Sequence, residues 1–236
     1  IETMSILHAE NLFSYYGKSP ILQDVSFSLK AGEFLSILGR NGVGKTTLLK
    51  TIMGLTDRCD GRLEFNGEDI SGHSTPQRAR LGIGYIPQGR DIIPRFTVEQ
   101  NIIMGCYARA DGKREIPSYL FEMFPILSEF LKRRGGDLSG GQQQQLAIAR
   151  ALAMDPKVLI LDEPTEGIQP NIVRQIEDAI VHLNRDRGLA IILVEQNIPF
   201  ARKASDRFLV LDKGMVAVAG HKDDLTDAVV EKHMTF

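Results

Sequence analysis

The 236 residues carry a formal net charge of −2, with five histidines, two cysteines and no tryptophan. A near-neutral balance leaves no basic footprint for nucleic acid. Cys59 and Cys106 stand far apart with no CxxC, which excludes a disulfide framework or zinc motif, and the histidines lack metal-ligand spacing. No apolar run approaches a membrane span, and the N-terminus lacks the charged-then-apolar pattern of a secretory leader. The expectation is a cytosolic protein, long enough to bury a sizeable core, that meets a membrane only through a partner. Ile1-Glu2-Thr3, ahead of Met4, are set aside from the fold reading.

From Ile6 to Leu29 two strand-like runs flank the turn-forming Gly17-Lys18-Ser19-Pro20. Tyr16 ends the first run beside Tyr15, and there strand packing and stacking on a base are equally open. Glu33-Phe34-Leu35-Ser36-Ile37-Leu38 predicts a short apolar strand, and Thr47 to Met53 predicts the first turns of a helix. Between them Gly39-Arg40-Asn41-Gly42-Val43-Gly44-Lys45-Thr46 matches the phosphate-binding pattern G-x-x-x-x-G-K-[ST] in its required strand–loop–helix setting. The glycines let the backbone approach a phosphate, and the amides of the loop and of the helix start at Thr47 point at the anion. Lys45 is expected to reach the β- and γ-phosphates, and the Thr46 hydroxyl to ligate Mg²⁺.

Gly61 to Gly67 reads as a strand ending in an Asn-Gly turn, and Thr75-Pro76-Gln77 opens a short helix. Ile83 to Pro87 reads as a strand that delivers Gln88 into a glycine-containing loop. Residues 97–136 differ in composition, with apolar helical spacing from Tyr119 to Phe130, and predict a helical lobe inserted into a core of 4–96 and 137–236. Ile92, Ile93, Pro94 and Phe96, beside that lobe, suit either packing within it or a socket for a partner's helix. A buried helix should run from Ser139 to about Ala153, and Val158-Leu159-Ile160-Leu161 fits a central parallel strand. A helix near Asn171, a buried strand Ala190–Val194 ending at Glu195-Gln196, a hairpin around Lys213-Gly214 and a short amphipathic helix complete the chain.

Two further motifs carry chemistry. Asp162, at the end of its apolar strand, can face the Mg²⁺ held by Thr46, and Glu163 can take a proton from the water that attacks the γ-phosphate. Leu138-Ser139-Gly140-Gly141-Gln142 is a second glycine-rich helix start, with Ser139 as cap and amides able to hold an anion. One nucleotide does not need two such sites, so the second suits a nucleotide bound by another chain.

In this order Gly39–Thr46, Gln88, Leu138–Gln142 and Val158–Glu163 resemble the ATP-binding subunit of ABC transporters, over essentially the whole chain. The resemblance implies a P-loop NTPase (RecA-like) α/β core with an antiparallel β portion and an inserted α-helical lobe. It implies ATP and Mg²⁺ as cofactors, and a head-to-tail dimer with a second ATPase subunit, a paralogue or a second copy. It also implies membrane permease subunits and, indirectly, a periplasmic solute-binding protein, which places the chain at the cytoplasmic face of the inner membrane. Tyr16 matches the adenine-stacking aromatic, and Gln88 the glutamine that senses Mg²⁺ and the γ-phosphate.

Two departures stand out. Glu166-Gly167-Ile168-Gln169 replaces the family's usual Ser-Ala-Leu-Asp, and Gln196 occupies the usual histidine position. An amide can bond a γ-phosphate but carries no proton at neutral pH, so either Glu163 is the effective base or a partner's site hydrolyses. These residues and Gln142-Gln143-Gln144-Gln145 resemble the importer branch for branched-chain amino acids, urea and amides, most of all the urea-uptake ATPase subunits. Other classes weighed are a soluble ABC-type ATPase acting outside transport, and an ATP-binding regulatory module with little turnover.

Overall fold

The computed structural model describes residues 5–234, so the expected core limits at Met4 and Phe236 lie outside the described residues. Ser5–Tyr16 (β1) and Ser19–Lys30 (β2) pair antiparallel across a turn of only Gly17 and Lys18. Phe34–Leu38 (β3), buried at every position, runs into the glycine-rich loop and then into Lys45–Met53 (α1). Arg58–Phe65 (β4) and Glu68–Asp69 (β5) are joined by Asn66-Gly67, both at positive φ as a two-residue hairpin turn requires. Thr75–Leu81 (α2) starts with proline in its first turn and leads to Ile83–Ile86 (β6).

Val98–Cys106 (α3), Tyr119–Met123 (α4) and Pro125–Glu129 (α5) supply the helical segment between residues 97 and 136. The helical spacing from Tyr119 to Phe130 is realised as two short helices, because Pro125 drives Phe124 out of helical conformation, to φ −129 and ψ 74. Gly140–Leu152 (α6), Val158–Asp162 (β7), Pro170–Arg185 (α7), Ala190–Val194 (β8) and Ile198–Ala204 (α8) follow. Arg207–Asp212 (β9), Met215–His221 (β10) and Asp227–Met234 (α9) end the described chain.

The strands form two sheets, an antiparallel one ordered β2-β1-β4-β5 and a six-stranded one ordered β10-β9-β3-β8-β7-β6. In the second, β9, β3, β8, β7 and β6 are parallel and only β10 is reversed. One apolar cluster lies between the two sheets around Leu48, Leu49 and Ile52 of α1. Another fills the opposite face of the larger sheet, where α6 and α7 pack together with Ile102, Leu120 and Leu127 from the helical segment. Val158–Leu161 is covered on both sides, which explains its unbroken apolar run.

The β4 strand starts three residues before the expected Gly61. Asn11, at φ 48, bulges out of β1 opposite it, and a Cβ on Gly61 would lie 2.3 Å from the Asn11 carbonyl oxygen. The buried Arg78 guanidinium bonds the carbonyls of Thr51 and Ile52 at the end of α1, where helix carbonyls run out of partners within the helix.

Candidate active site

Four neighbouring parallel strands, β3, β8, β7 and β6, end on the same edge, the usual location of ligands in such sheets. Register fixes their ends side by side: Ile37 pairs Val194, Asp162 pairs Val194, and Ile86 pairs Leu161. The four strand ends therefore deliver, in a row, the glycine-rich loop, Gln196, Asp162 with Glu163, and Gln88. Of these, Gln88, Glu163 and Gln196, far apart in sequence, line one cleft of about 410 Å³ with Ile21, Asn41, Gly42, Gly44, Lys45, Thr46, Thr47 and Glu166, and Asp162 lies buried next to Glu163.

The loop owes its shape to glycine. Gly39, Gly42 and Gly44 have φ of 141, 79 and 110, a region disfavoured for side chains, and Gly44 stands at the start of α1. A Cβ on Gly39 would also strike the Leu211 carbonyl oxygen at 2.4 Å. The β9–β10 turn braces the loop from behind, since the Gly214 amide donates to the Val43 carbonyl (2.9 Å) and the Gln23 amide to the Gly214 carbonyl (2.8 Å). Neither Ile21 nor Gly214 stood out in the sequence as a part of the site.

Lys45 is 5% exposed, and its ammonium donates to the carbonyls of Gly39 (2.8 Å) and Arg40 (2.9 Å), 3.9 Å from the Glu163 carboxylate. Burial lowers its pKa, while the charges of Glu163 and Asp162 work in the opposite direction. Asp162 is 1% exposed, and neither of its carboxylate oxygens makes a hydrogen bond. Burial pushes its carboxyl pKa up; the neighbouring Thr46 hydroxyl pulls it down without closing a bond of normal geometry, Glu163 adds to the rise, and Lys45 opposes it.

Glu163 has a left-handed backbone, φ 47, fixed by its amide donating to the Val194 carbonyl at 2.9 Å. Its Oε1 accepts from Nε2 of Gln196 at 2.9 Å. Gln88 Nε2 donates to Glu166 at 2.7 Å, so one of the unusual residues after the strand meets the glutamine loop directly. The backbone of Gln196 is in turn tied to the buried Glu195, a residue for which no role of its own stood out in the sequence.

Tyr16 and Ser139–Gln142 do not line this cleft. Tyr16 is 37% exposed at the end of β1, where it pairs with Ser19 of β2. Ser139 caps α6, accepting from the Gln142 amide at 3.4 Å while its own amide donates to the Gln142 side chain at 3.0 Å. Gln142 instead borders a larger cavity of about 760 Å³ between α4–α5 and α7, which contains none of the phosphate-loop residues. The Gln88 loop reaches α6 through Arg150, whose guanidinium donates to the carbonyls of Asp91 (2.7 Å) and Arg90 (3.2 Å).

The apolar group at 92–96 divides. Ile92 and Ile93 are half-buried, with Ile92 against the core, whereas Pro94 and Phe96 are exposed. Met104 and Tyr107, at the end of α3, are also exposed. Among the described residues no helix is long and apolar enough to cross a membrane.

The family model for ABC transporters matches residues 22–166. The chain is 40% identical to the high-affinity branched-chain amino acid transport ATP-binding protein BraG of Pseudomonas aeruginosa, over 90% of this chain and 91% of that one. It is 37% identical to the lipopolysaccharide export system ATP-binding protein LptB of Haemophilus influenzae, over 92% and 91%. Among solved structures, it resembles the dimeric ATP-binding cassette MJ0796 in a post-hydrolysis state bound to ADP and phosphate, with TM-score 0.79, 25% identity and 92% and 98% coverage. A strand-end site built on a phosphate loop, and similarity that spans nearly the whole length of these proteins, lead to one assignment: the chain belongs to the ABC transporter family and is an ATP hydrolase, the cassette subunit of such a transporter.

Proposed function

We propose that this cassette powers an importer for urea, a related small amide or a branched-chain amino acid, working at the cytoplasmic face of the inner membrane. The observation that carries the ATPase chemistry is the meeting of Lys45, Thr46, Glu163, Gln88 and Gln196 in one cleft, with Asp162 buried beside Lys45 and Thr46. The importer reading is supported by the similarity to BraG and by the Glu166–Gln169 and Gln196 departures.

In this reading the amides from Gly39 to Thr47 bind the ATP phosphates, Lys45 neutralises the terminal ones, and Tyr16 stacks on the adenine. The donor set suits Mg²⁺. Asp162 presents two buried oxygens without hydrogen bonds, beside the Thr46 hydroxyl. Among the described residues no group of three or more His, Cys, Asp or Glu is placed to hold a metal, which fits an ion that takes its remaining ligands from phosphate and water. Thr46, Asp162 and the Gln88 side-chain oxygen would hold it, and it would supply neutralisation of the phosphate charge.

Glu163 accepts the proton of the attacking water, and Gln196 keeps its carboxylate in place. Loss of a hydrogen bond to a charged group costs about 1.5–3 kcal/mol, so Gln196→Ala is expected to lower turnover about tenfold or more. Steady-state phosphate release measures this, and an unchanged rate removes the role given to Gln196.

Ser139, Gly140, Gly141 and Gln142 then cap the nucleotide of a second ATPase subunit in a head-to-tail dimer, a paralogue or a second copy. Pro94, Phe96, Met104 and Tyr107 offer a permease an apolar surface on the 97–136 lobe side, and a periplasmic solute-binding protein feeds that permease. The test is purification with the permeases from detergent extract, reconstitution in vesicles, and uptake of labelled urea, acetamide and leucine. ATP-dependent accumulation of one of these solutes is expected. Extraction of lipopolysaccharide by the complex, with no uptake, would replace the import reading with export.

A further inference from the structure

Glu195 has no part in the chemistry above, yet its side chain links the two loops that supply Glu163 and Gln196. It is 4% exposed. One carboxylate oxygen accepts from the Thr165 hydroxyl at 2.6 Å, two residues beyond Glu163. The other accepts from the backbone amides of Gln196 (3.0 Å) and Asn197 (3.2 Å). From α7, Glu177 approaches the same place, where its Oε1 accepts from the Asn197 side chain at 3.1 Å. A buried carboxylate with a second, half-buried one beside it is a costly filling for a packing gap. Three accepted hydrogen bonds give the Glu195 carboxylate a specific task.

We propose that Glu195 is a positioning residue that holds Gln196 against Glu163. Anchoring the Gln196 amide fixes the direction in which that side chain leaves the backbone. Anchoring Thr165 fixes the turn that follows Glu163. One buried group thereby sets both ends of the 2.9 Å contact between Gln196 and Glu163. Misplacement of reacting groups by about 1 Å can cost about 10²-fold in rate, so a remote anchor of this kind has kinetic weight. The proposal rests on the roles given above to Glu163 and Gln196.

The experiment is steady-state ATPase kinetics on the full chain with Glu195→Ala, Glu195→Gln, Thr165→Val, Gln196→Ala and the double variant Glu195→Ala/Gln196→Ala. Glu195→Ala is expected to lower kcat about tenfold with KM for ATP within about twofold, the signature of lost positioning rather than lost binding. Glu195→Gln should stay within about threefold of wild type, because an amide oxygen can accept both backbone N–H groups while its NH₂ donates to the Thr165 oxygen. In the double variant, Glu195→Ala should add less than about twofold to the loss caused by Gln196→Ala.

Three results overturn the proposal: an unchanged kcat in Glu195→Ala, a Glu195→Gln enzyme as slow as the alanine variant, or losses that multiply in the double variant. Should Glu195→Ala not fold, Thr165→Val carries the test, with an expected loss of about threefold that disappears in the Gln196→Ala background. An unchanged rate in Gln196→Ala alone removes the role of Gln196 and this proposal together. A slow Gln196→Ala without the coupling removes this proposal only.

Discussion

Glu163→Gln is expected to lower ATP turnover by about 10²–10⁴-fold while ATP binding survives. The replacement keeps the size of the side chain and an oxygen able to accept from Gln196 Nε2, now 2.9 Å from the carboxylate. It removes the one property an amide cannot supply, acceptance of a proton from the attacking water. Lys45 loses a carboxylate neighbour at 3.9 Å but retains its two loop carbonyls, so the phosphate-binding loop should keep its shape. Phosphate release under saturating Mg-ATP, titration with a fluorescent ATP analogue, and light scattering in ATP measure turnover, binding and association. Turnover near wild type would show that Glu163 is not the base. Weak binding together with low turnover would instead make its role structural.

Asp162→Asn should change stability and activity in opposite directions. The native carboxylate is buried with both oxygens outside any hydrogen bond. Its pKa is raised, so the folded state binds the proton more tightly than the unfolded chain. The sign follows: the stability linked to this group is fully present below the ordinary Asp value of 3.8 and is lost as pH rises through the raised folded value. A neutral amide abolishes that loss. Nucleotide-free Asp162→Asn should therefore melt higher than wild type near neutral pH, by about 2–4 °C for each kcal/mol recovered, and the gap should close toward acid. With Mg-ATP the variant lacks an anionic ligand where charge must be neutralised, and turnover should fall by about 10²–10³-fold. Calorimetry across pH together with ATPase assays checks both halves. A lower melting temperature in the nucleotide-free variant would show that Lys45 and Thr46 already compensate the buried charge.

The phosphate loop was legible because its chemistry is local: three glycines at positive φ, a lysine and a threonine lie within eight residues, between a strand and a helix. Asp162 and Glu163 were legible for the same reason, as acids that end a wholly apolar strand. What brings Gln196 to Glu163 is not local. It depends on β8 lying between β3 and β7, a strand order decided by packing across the whole sheet. The ties from Thr165 to Glu195 and from Gln88 to Glu166 depend on the same order. Ile21 reads as an ordinary strand residue and Gly214 as an ordinary turn residue, and only the meeting of the hairpins of the two sheets behind the loop joins them to the site. The break at Pro125 was visible in the sequence, but the apolar spacing on either side masked it.

Arg150 gives the Gln88 loop a mechanical consequence. Two adjacent carbonyls of the loop are bonded to one side chain of α6, so a displacement of the loop would strain or break both bonds. A γ-phosphate that drew in Gln88 would act on that tie to α6, whose opposite end is Ser139. In the head-to-tail pair proposed above, that serine touches the neighbour's ATP rather than its own. In that pair the Arg150 tie would give each subunit's phosphate site a physical link to the nucleotide of its neighbour.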